Sequence, residues 1–188
     1  PLGENYYDFT AYEPFGVSGQ IIPWNFPFEM TSRSLSAALT TGNACVVKTA
    51  ENDPITQYWF AKAAEHANLP PGAVNILCGL GNEAGAALSS HQYVNQIVFT
   101  GSVATGSAIA KAAAQNIVPC TLELGGKSAA IVYDDADIEN LMNSIRWGIF
   151  YNAGQVCSAM SRVIVPKRLH DEIADKAGAL AKSLSVGP

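Results

Sequence analysis

Continuous apolar runs alternate with segments of helical period along most of this chain, and that alternation restricts the fold more than any other feature. Gly16–Trp24, Ala44–Thr49, Ala73–Cys78, Gln96–Thr100 and Cys120–Leu124 read as strands. Between them, Phe28–Leu39, a segment from Pro54 to about His66, Gly81–Ser89 and Val103–Ala114 read as helices. Unbroken apolar strands are covered on both faces, and helical crossovers force parallel pairing. The expected class is α/β, a doubly wound parallel sheet over roughly the first 125 residues.

Local signals place the ends of these elements. Gly42-Asn43 stops the first helix, and Pro70-Pro71-Gly72 follows the second. Asp53 is a candidate N-cap ahead of Pro54, which suits a first helical turn. Gly125-Gly126 is the best hinge. Beyond it come a strand at Ser128–Tyr133 and a helix capped by Asp137, with Ile138, Leu141, Met142, Ile145 and Ile149 on one face. A strand at Arg162–Val165 and a final helix presenting Ile173, Ala177, Leu180, Ala181 and Leu184 complete the chain. This last third reads as the first part of a second α/β domain.

Composition serves mainly to exclude. With 48% hydrophobic and 14% charged residues, the chain can bury a core and is not intrinsically disordered. Eleven basic against 16 acidic residues give a net charge of −5 with no basic stripe, so no nucleic-acid partner is expected. No apolar run reaches bilayer length, so no membrane partner is expected either. The opening Pro-Leu-Gly-Glu-Asn is neither a signal peptide nor a methionine start. The expectation is that residue 1 is not the native start and that the protein is cytoplasmic.

The four cysteines are Cys45, Cys78, Cys120 and Cys157. They contain no Cys-x-x-Cys pair, so no metal site is expected. The first three lie in or beside apolar runs, where a free cysteine packs as a small apolar residue. Cys157 differs, because it lies in the small-residue segment Asn152-Ala153-Gly154-Gln155-Val156-Cys157-Ser158-Ala159 after an amphipathic helix.

Ligands of parallel α/β sheets bind beyond the carboxyl ends of the strands. Four such ends are polar or glycine-rich here: Ile22-Pro23-Trp24-Asn25-Phe26-Pro27, Lys48-Thr49-Ala50-Glu51, Phe99-Thr100-Gly101-Ser102-Val103-Ala104-Thr105-Gly106 and Glu123-Leu124-Gly125-Gly126-Lys127. The third feeds a helix whose N-terminus could take an anion. Taken singly, each has a plainer reading. The glycines make a turn, Lys48 and Glu51 form a solvated pair, Glu123 is a strand-end charge, and Asn25 caps a helix. Together they fall on one predicted edge of one sheet.

In their order and spacing, Pro23-Trp24-Asn25-Phe26-Pro27, Lys48 with Glu51, Phe99-Thr100-Gly101-Ser102, Leu122-Glu123-Leu124-Gly125-Gly126-Lys127 and Gly154-Gln155-x-Cys157 resemble the aldehyde dehydrogenase superfamily, of the NAD-dependent, non-acylating type. The resemblance runs from about residue 12 to the end and corresponds to the middle portion of a typical member. It implies that Cys157 is the nucleophile and Glu123 the general base. It also implies that Asn25, with the Cys157 N–H, forms the oxyanion hole. It implies a cofactor site of Ile22, Pro23, Trp24, Lys48, Glu51, Gly81, Phe99, Gly101, Ser102, Gly106, Leu124 and Gly125. By the same resemblance Phe26, Met30 and Tyr151 are expected to wall an aldehyde tunnel, and their size suggests an apolar aldehyde.

The carboxylate of Glu51 favours NAD over NADP, since it accepts from ribose hydroxyls and repels a 2′-phosphate. Three parts are implied: 1–12, a remnant of an oligomerisation hairpin; 13–125, the NAD-binding domain; and 126–188, the N-terminal part of the catalytic domain. The full-length parent is expected to be a homo-oligomer. Thr49 and Asp53 stand where the family commonly has proline and threonine, and its C-terminal Glu-x-Phe-Gly-Pro is absent. The expected function is oxidation of an aldehyde to a carboxylic acid through a cysteine thiohemiacetal and thioester, with hydride passing to NAD. The alternative is a nucleotide-binding fragment without turnover of its own.

Overall fold

In the computed structural model, which describes residue 3 and residues 5–187, seven strands and six α-helices follow one another in the order the hydrophobic pattern predicts. The chain divides into two compact units, Pro1–Glu123 and Leu124–Pro188.

The first unit is built on β1 (Val17–Ile21), α1 (Pro27–Thr40), β2 (Ala44–Lys48), α2 (Ile55–His66), β3 (Val74–Leu77), α3 (Ala86–Ser89), β4 (Gln96–Gly101), α4 (Val103–Gln115) and β5 (Cys120–Leu124). Its five-stranded parallel sheet has the order β3-β2-β1-β4-β5. Val17 pairs with Ala44 on one side of β1, and Ser18 with Gln96 on the other. The chain winds outward from β1 to β3, then crosses back to lay β4 on the opposite side. That reversal opens a crevice between β1 and β4, where doubly wound sheets bind ligands.

Sheet alternation divides the core. Cys45 and Val47, both fully buried, pack with Ile22, Leu35 and Ala38, and Met30, Phe60 and Ile76 close the cluster from α1, α2 and β3. The buried Gln20 amide ties β1 to α1 by donating to the Ser34 carbonyl at 3.0 Å. On the other face, a Cβ at Gly19 would lie 3.2 Å from Val94 and 3.3 Å from Leu88. Glycine there lets this layer sit close to the strand.

Pro27 occupies the first turn of α1, where a missing N–H costs nothing. Gly42, at φ +80°, turns the chain out of the helix, and Asn43 then clamps the junction. Its Oδ1 accepts from the Gly16 N–H at 2.9 Å, while its Nδ2 donates to the Ala38 carbonyl at 3.1 Å. The N-cap of α2 is Pro54 rather than Asp53, and the helix starts at Ile55; from one residue further out, Asp53 Oδ1 still accepts from the Thr56 N–H at 3.4 Å and the Thr56 hydroxyl at 2.9 Å. A buried bond from Thr31 Oγ1 to Gln57 Oε1 at 2.9 Å joins α1 to α2.

The second unit pairs β6 (Ala129–Ile131) in parallel with β7 (Arg162–Ile164), and it packs α5 (Ile138–Ile149) against α6 (His170–Ser183). Asp137 caps α5, accepting from the N–H groups of Glu139 at 2.9 Å and Asn140 at 3.1 Å. Ile145 and Ile173 are its most deeply buried helix residues.

Of the segment 1–12, residues 1, 2 and 4 lie outside the described residues. Tyr6, Tyr7, Phe9 and Tyr12 are all strongly exposed. Among the described residues no helix is long and apolar enough to cross a membrane, and no cluster of His, Cys, Asp or Glu could hold a metal ion.

Candidate functional site

The site builds from the strand ends of the first unit. Ile22 is buried and its N–H donates to the Lys48 carbonyl at 3.1 Å, locking the exit of β1 against that of β2. Pro23, Trp24, Asn25 and Phe26 then cross to α1, whose first bond runs from the Met30 N–H to the Phe26 carbonyl at 2.9 Å. Prolines at 23 and 27 fix φ on both sides of this short link. Asn25 is half-buried within it, and Trp24 is 48% exposed.

Lys48 ends β2 with its side chain 3% exposed, and its Nζ reaches Glu51 Oε2 at 3.1 Å. A buried ammonium needs such a partner. Glu51 is half-exposed, and its carboxyl is held below the usual range. The first cause is a hydrogen bond to its own backbone, and Lys48 adds to it. The pair therefore offers an ionised carboxylate at the sheet edge, steadied from beneath.

Phe99 is buried near the end of β4 and fills the space over Gly101, where a Cβ would fall 2.4 Å from its ring. Any larger residue at 101 would displace the ring. Ser102 is the N-cap of α4. Its Oγ accepts from the Thr105 N–H at 3.1 Å, a capping role that the sequence reading does not assign to it. Gly106 is buried in the first turns of that helix.

A cleft of about 670 Å³ lies beside these ends, lined among others by Ile21, Gly81, Asn82, Ala104 and Thr105. Its size is within the usual range for cofactor pockets. Gly81 and Gly85 have open space where a Cβ would stand. The segment Gly81–Gly85 is a π-type turn, where the sequence suggests an ordinary short helix. A dinucleotide fits this ground: an approachable backbone, a helix start, and a carboxylate for sugar hydroxyls. Asn82, Ala104 and Thr105 escape the sequence reading. Their signal is the small-residue character of the turn and of the α4 start.

Glu123, on β5, pairs with Arg33 of α1, with Nη2 2.6 Å from Oε1. Sequence reading misses Arg33, although its spacing of three from Met30 places both on one helix face. Leu124 is half-buried and Gly125 exposed, immediately after it.

Cys157 belongs to the second unit and is exposed. It sits in a turn closed by the Ala159 N–H donating to the Val156 carbonyl at 3.1 Å. Among the described residues its own N–H donates to no backbone carbonyl. Three left-handed residues lead up to it: Asn152 at φ +50°, Ala153 at φ +56° and Gly154 at φ +77°. Non-glycine residues there cost on the order of 1–2 kcal/mol each. Tyr151, the third proposed tunnel residue, is half-exposed at the end of α5. The other thiols differ in environment. Cys45 is fully buried, and burial pushes its pKa up to about 11; burial also raises that of Cys120. Cys78 is exposed.

The model of the aldehyde dehydrogenase family matches residues 1–188. An aldehyde dehydrogenase family 2 member B4 of Arabidopsis thaliana, described as mitochondrial, is 47% identical over all of this chain and 35% of its own length. Human aldehyde dehydrogenase 1A1 is 44% identical over all of this chain and 38% of its own. An NAD⁺ complex of an aldehyde dehydrogenase from Bacillus cereus superposes with a TM-score of 0.96 at 44% identity, covering 100% of this chain and 38% of that one. The chain thus spans little more than a third of these relatives.

Proposed function

The chain belongs to the aldehyde dehydrogenase family, and on that premise we propose that it carries the cofactor site and the reacting residues of an NAD-linked oxidation of an aldehyde to a carboxylic acid. The observation that carries this reading is the shared sheet edge. Asn25, the Lys48–Glu51 pair and Ser102 follow the carboxyl ends of β1, β2 and β4, and a cleft lined by Ile21, Gly81, Ala104 and Thr105 opens where β1 ends and α4 begins.

In the proposed mechanism the Cys157 thiolate adds to the aldehyde carbon. A C–S bond forms, and the carbonyl π pair moves onto oxygen. The Asn25 amide and the Cys157 N–H donate to that oxygen as its charge develops. NAD, when bound, supplies the acceptor for the hydride that leaves this carbon, and a thioester remains on Cys157. Glu123 takes a proton from water as the water oxygen adds to the thioester. The C–S bond then breaks, the acid departs, and Cys157 returns as thiolate. Phe26, Met30 and Tyr151 wall the aldehyde, and their size favours an apolar one. Ile22, Pro23, Trp24, Gly81, Phe99, Gly101, Gly106, Leu124 and Gly125 shape the cofactor ground. Residues 13–125 form the NAD-binding domain and 126–188 begin the catalytic one. Residues 1–12 serve self-association, which their exposed aromatics support. The four free thiols suit a reducing compartment such as the cytoplasm.

Two outcomes follow. Glu51→Ala in the complete gene product shifts the ratio of kcat/KM for NADP over NAD upward by about tenfold or more, because the carboxylate that repels a 2′-phosphate is gone. An unchanged ratio removes Glu51 from the ribose site. In timed iodoacetamide labelling at pH 8, Cys157 reacts ahead of Cys78, and Cys45 reacts last. A thiol of pKa about 11 is thiolate in only about one molecule per thousand at that pH. Equal rates at Cys157 and Cys78 count against an activated nucleophile.

A further inference from the structure

Arg33 has a carboxylate available on its own helix. Glu29 lies four residues before it, with the acid preceding the base, the favourable order for an ion pair along a helix. The ion pair goes instead to Glu123, 90 residues away on β5, at 2.6 Å. Both side chains are half-exposed, at 59% and 46%, so the bond adds little to stability. It does fix a direction. Nη2 engages Oε1, which leaves Oε2 outside this bond. One groove of the first unit is lined by Met30, Arg33, Thr100, Thr121 and Glu123 among others. The charge therefore lies one helical turn from a residue assigned to the aldehyde wall.

We propose that Arg33 is a positioning residue for Glu123. Its guanidinium holds one carboxylate oxygen so that the other is aimed to take the proton of the attacking water. The proposal rests on the reading of Glu123 as general base. A glutamate with free χ angles would divide its population among rotamers, and a misplaced base costs rate steeply. In the step concerned, Glu123 gains a proton and the water oxygen bonds to the thioester carbon. The C–S bond then breaks, with its electron pair going to Cys157. Arg33 neither gains nor loses a proton.

The test uses the complete gene product and a p-nitrophenyl ester, which acylates a thiol directly and requires no hydride transfer. Arg33→Met is expected to keep the burst of p-nitrophenolate that reports acylation. The steady rate that follows, which reports water attack, falls about 10- to 100-fold. KM for NAD in aldehyde oxidation stays within about twofold. Arg33→Lys recovers part of the loss, and adding Arg33→Met to Glu123→Gln slows the enzyme no further. A steady rate for Arg33→Met within twofold of the parent, while Glu123→Gln is slow, overturns the proposal and leaves the base assignment standing. Burst and steady rate falling together also overturn it, because that marks general damage. A Glu123→Gln variant as fast as the parent overturns the base assignment and this proposal with it.

Discussion

Replacing Cys157 with serine lowers aldehyde-dependent NADH formation by at least about 10³-fold in the complete gene product, the scale on which loss of a covalent nucleophile registers. A serine hydroxyl is far less acidic than a thiol. No group described in this unit takes its proton as a paired base would, so an alkoxide is not available near neutral pH. The position makes the variant clean. Cys157 is exposed in the turn closed by Val156 and Ala159, so an oxygen for sulfur exchange disturbs no packed side chain. NAD affinity by calorimetry is therefore expected to match the parent, because the residues proposed for the cofactor are left untouched. NADH formation within tenfold of the parent would remove Cys157 from the mechanism. The 188-residue chain itself binding NAD and making no NADH would favour the alternative, a nucleotide-binding piece without turnover of its own.

The order of elements was readable because period and punctuation agree. Gly42-Asn43 and Asp53-Pro54 mark helix ends by their own chemistry; α1 stops just before the first pair, and α2 starts just after the second, with Pro54 in the cap position read for Asp53. The end of β1 was read three residues too long and that of β6 two, while β5 ends where it was read. Ile22 and Pro23 continue the apolar run of β1, but the pairing stops at Ile21. An apolar pattern marks what is buried, and Ile22 is buried and still donates to the Lys48 carbonyl one residue past the last paired position. The π-type turn at Gly81–Gly85 was hidden because a run of small residues carries no period. Arg33 was hidden for a different reason. Its partner is 90 residues distant, and only the closing of the sheet brings α1 beside β5. The left-handed Asn152 and Ala153 were unreadable too, since alanine normally signals helix. The strain at Ala153 is local evidence of a backbone held by its surroundings, directly ahead of the proposed nucleophile.

Asn25→Ala is expected to lower kcat by about 10²–10³-fold while changing KM for the aldehyde only a few-fold, which is the mark of an interaction made in the transition state alone. The amide is held by the chain around it. Ile22 is anchored to Lys48 at 3.1 Å, Met30 closes on Phe26 at 2.9 Å, and the prolines at 23 and 27 limit the link between. A donor so placed needs little rearrangement as charge appears on the carbonyl oxygen, so its loss falls on the barrier rather than on binding. Alanine by itself cannot separate a missing donor from a loosened link. Asn25→Asp separates them, because it keeps the shape and replaces the N–H donor by a carboxylate oxygen that repels the developing negative charge. A loosened link predicts that aspartate restores the rate. A missing donor predicts that aspartate is at least as slow as alanine, with NAD affinity and thermal midpoint close to the parent in both variants. Activity of the aspartate variant within about fivefold of the parent would remove Asn25 from the oxyanion site.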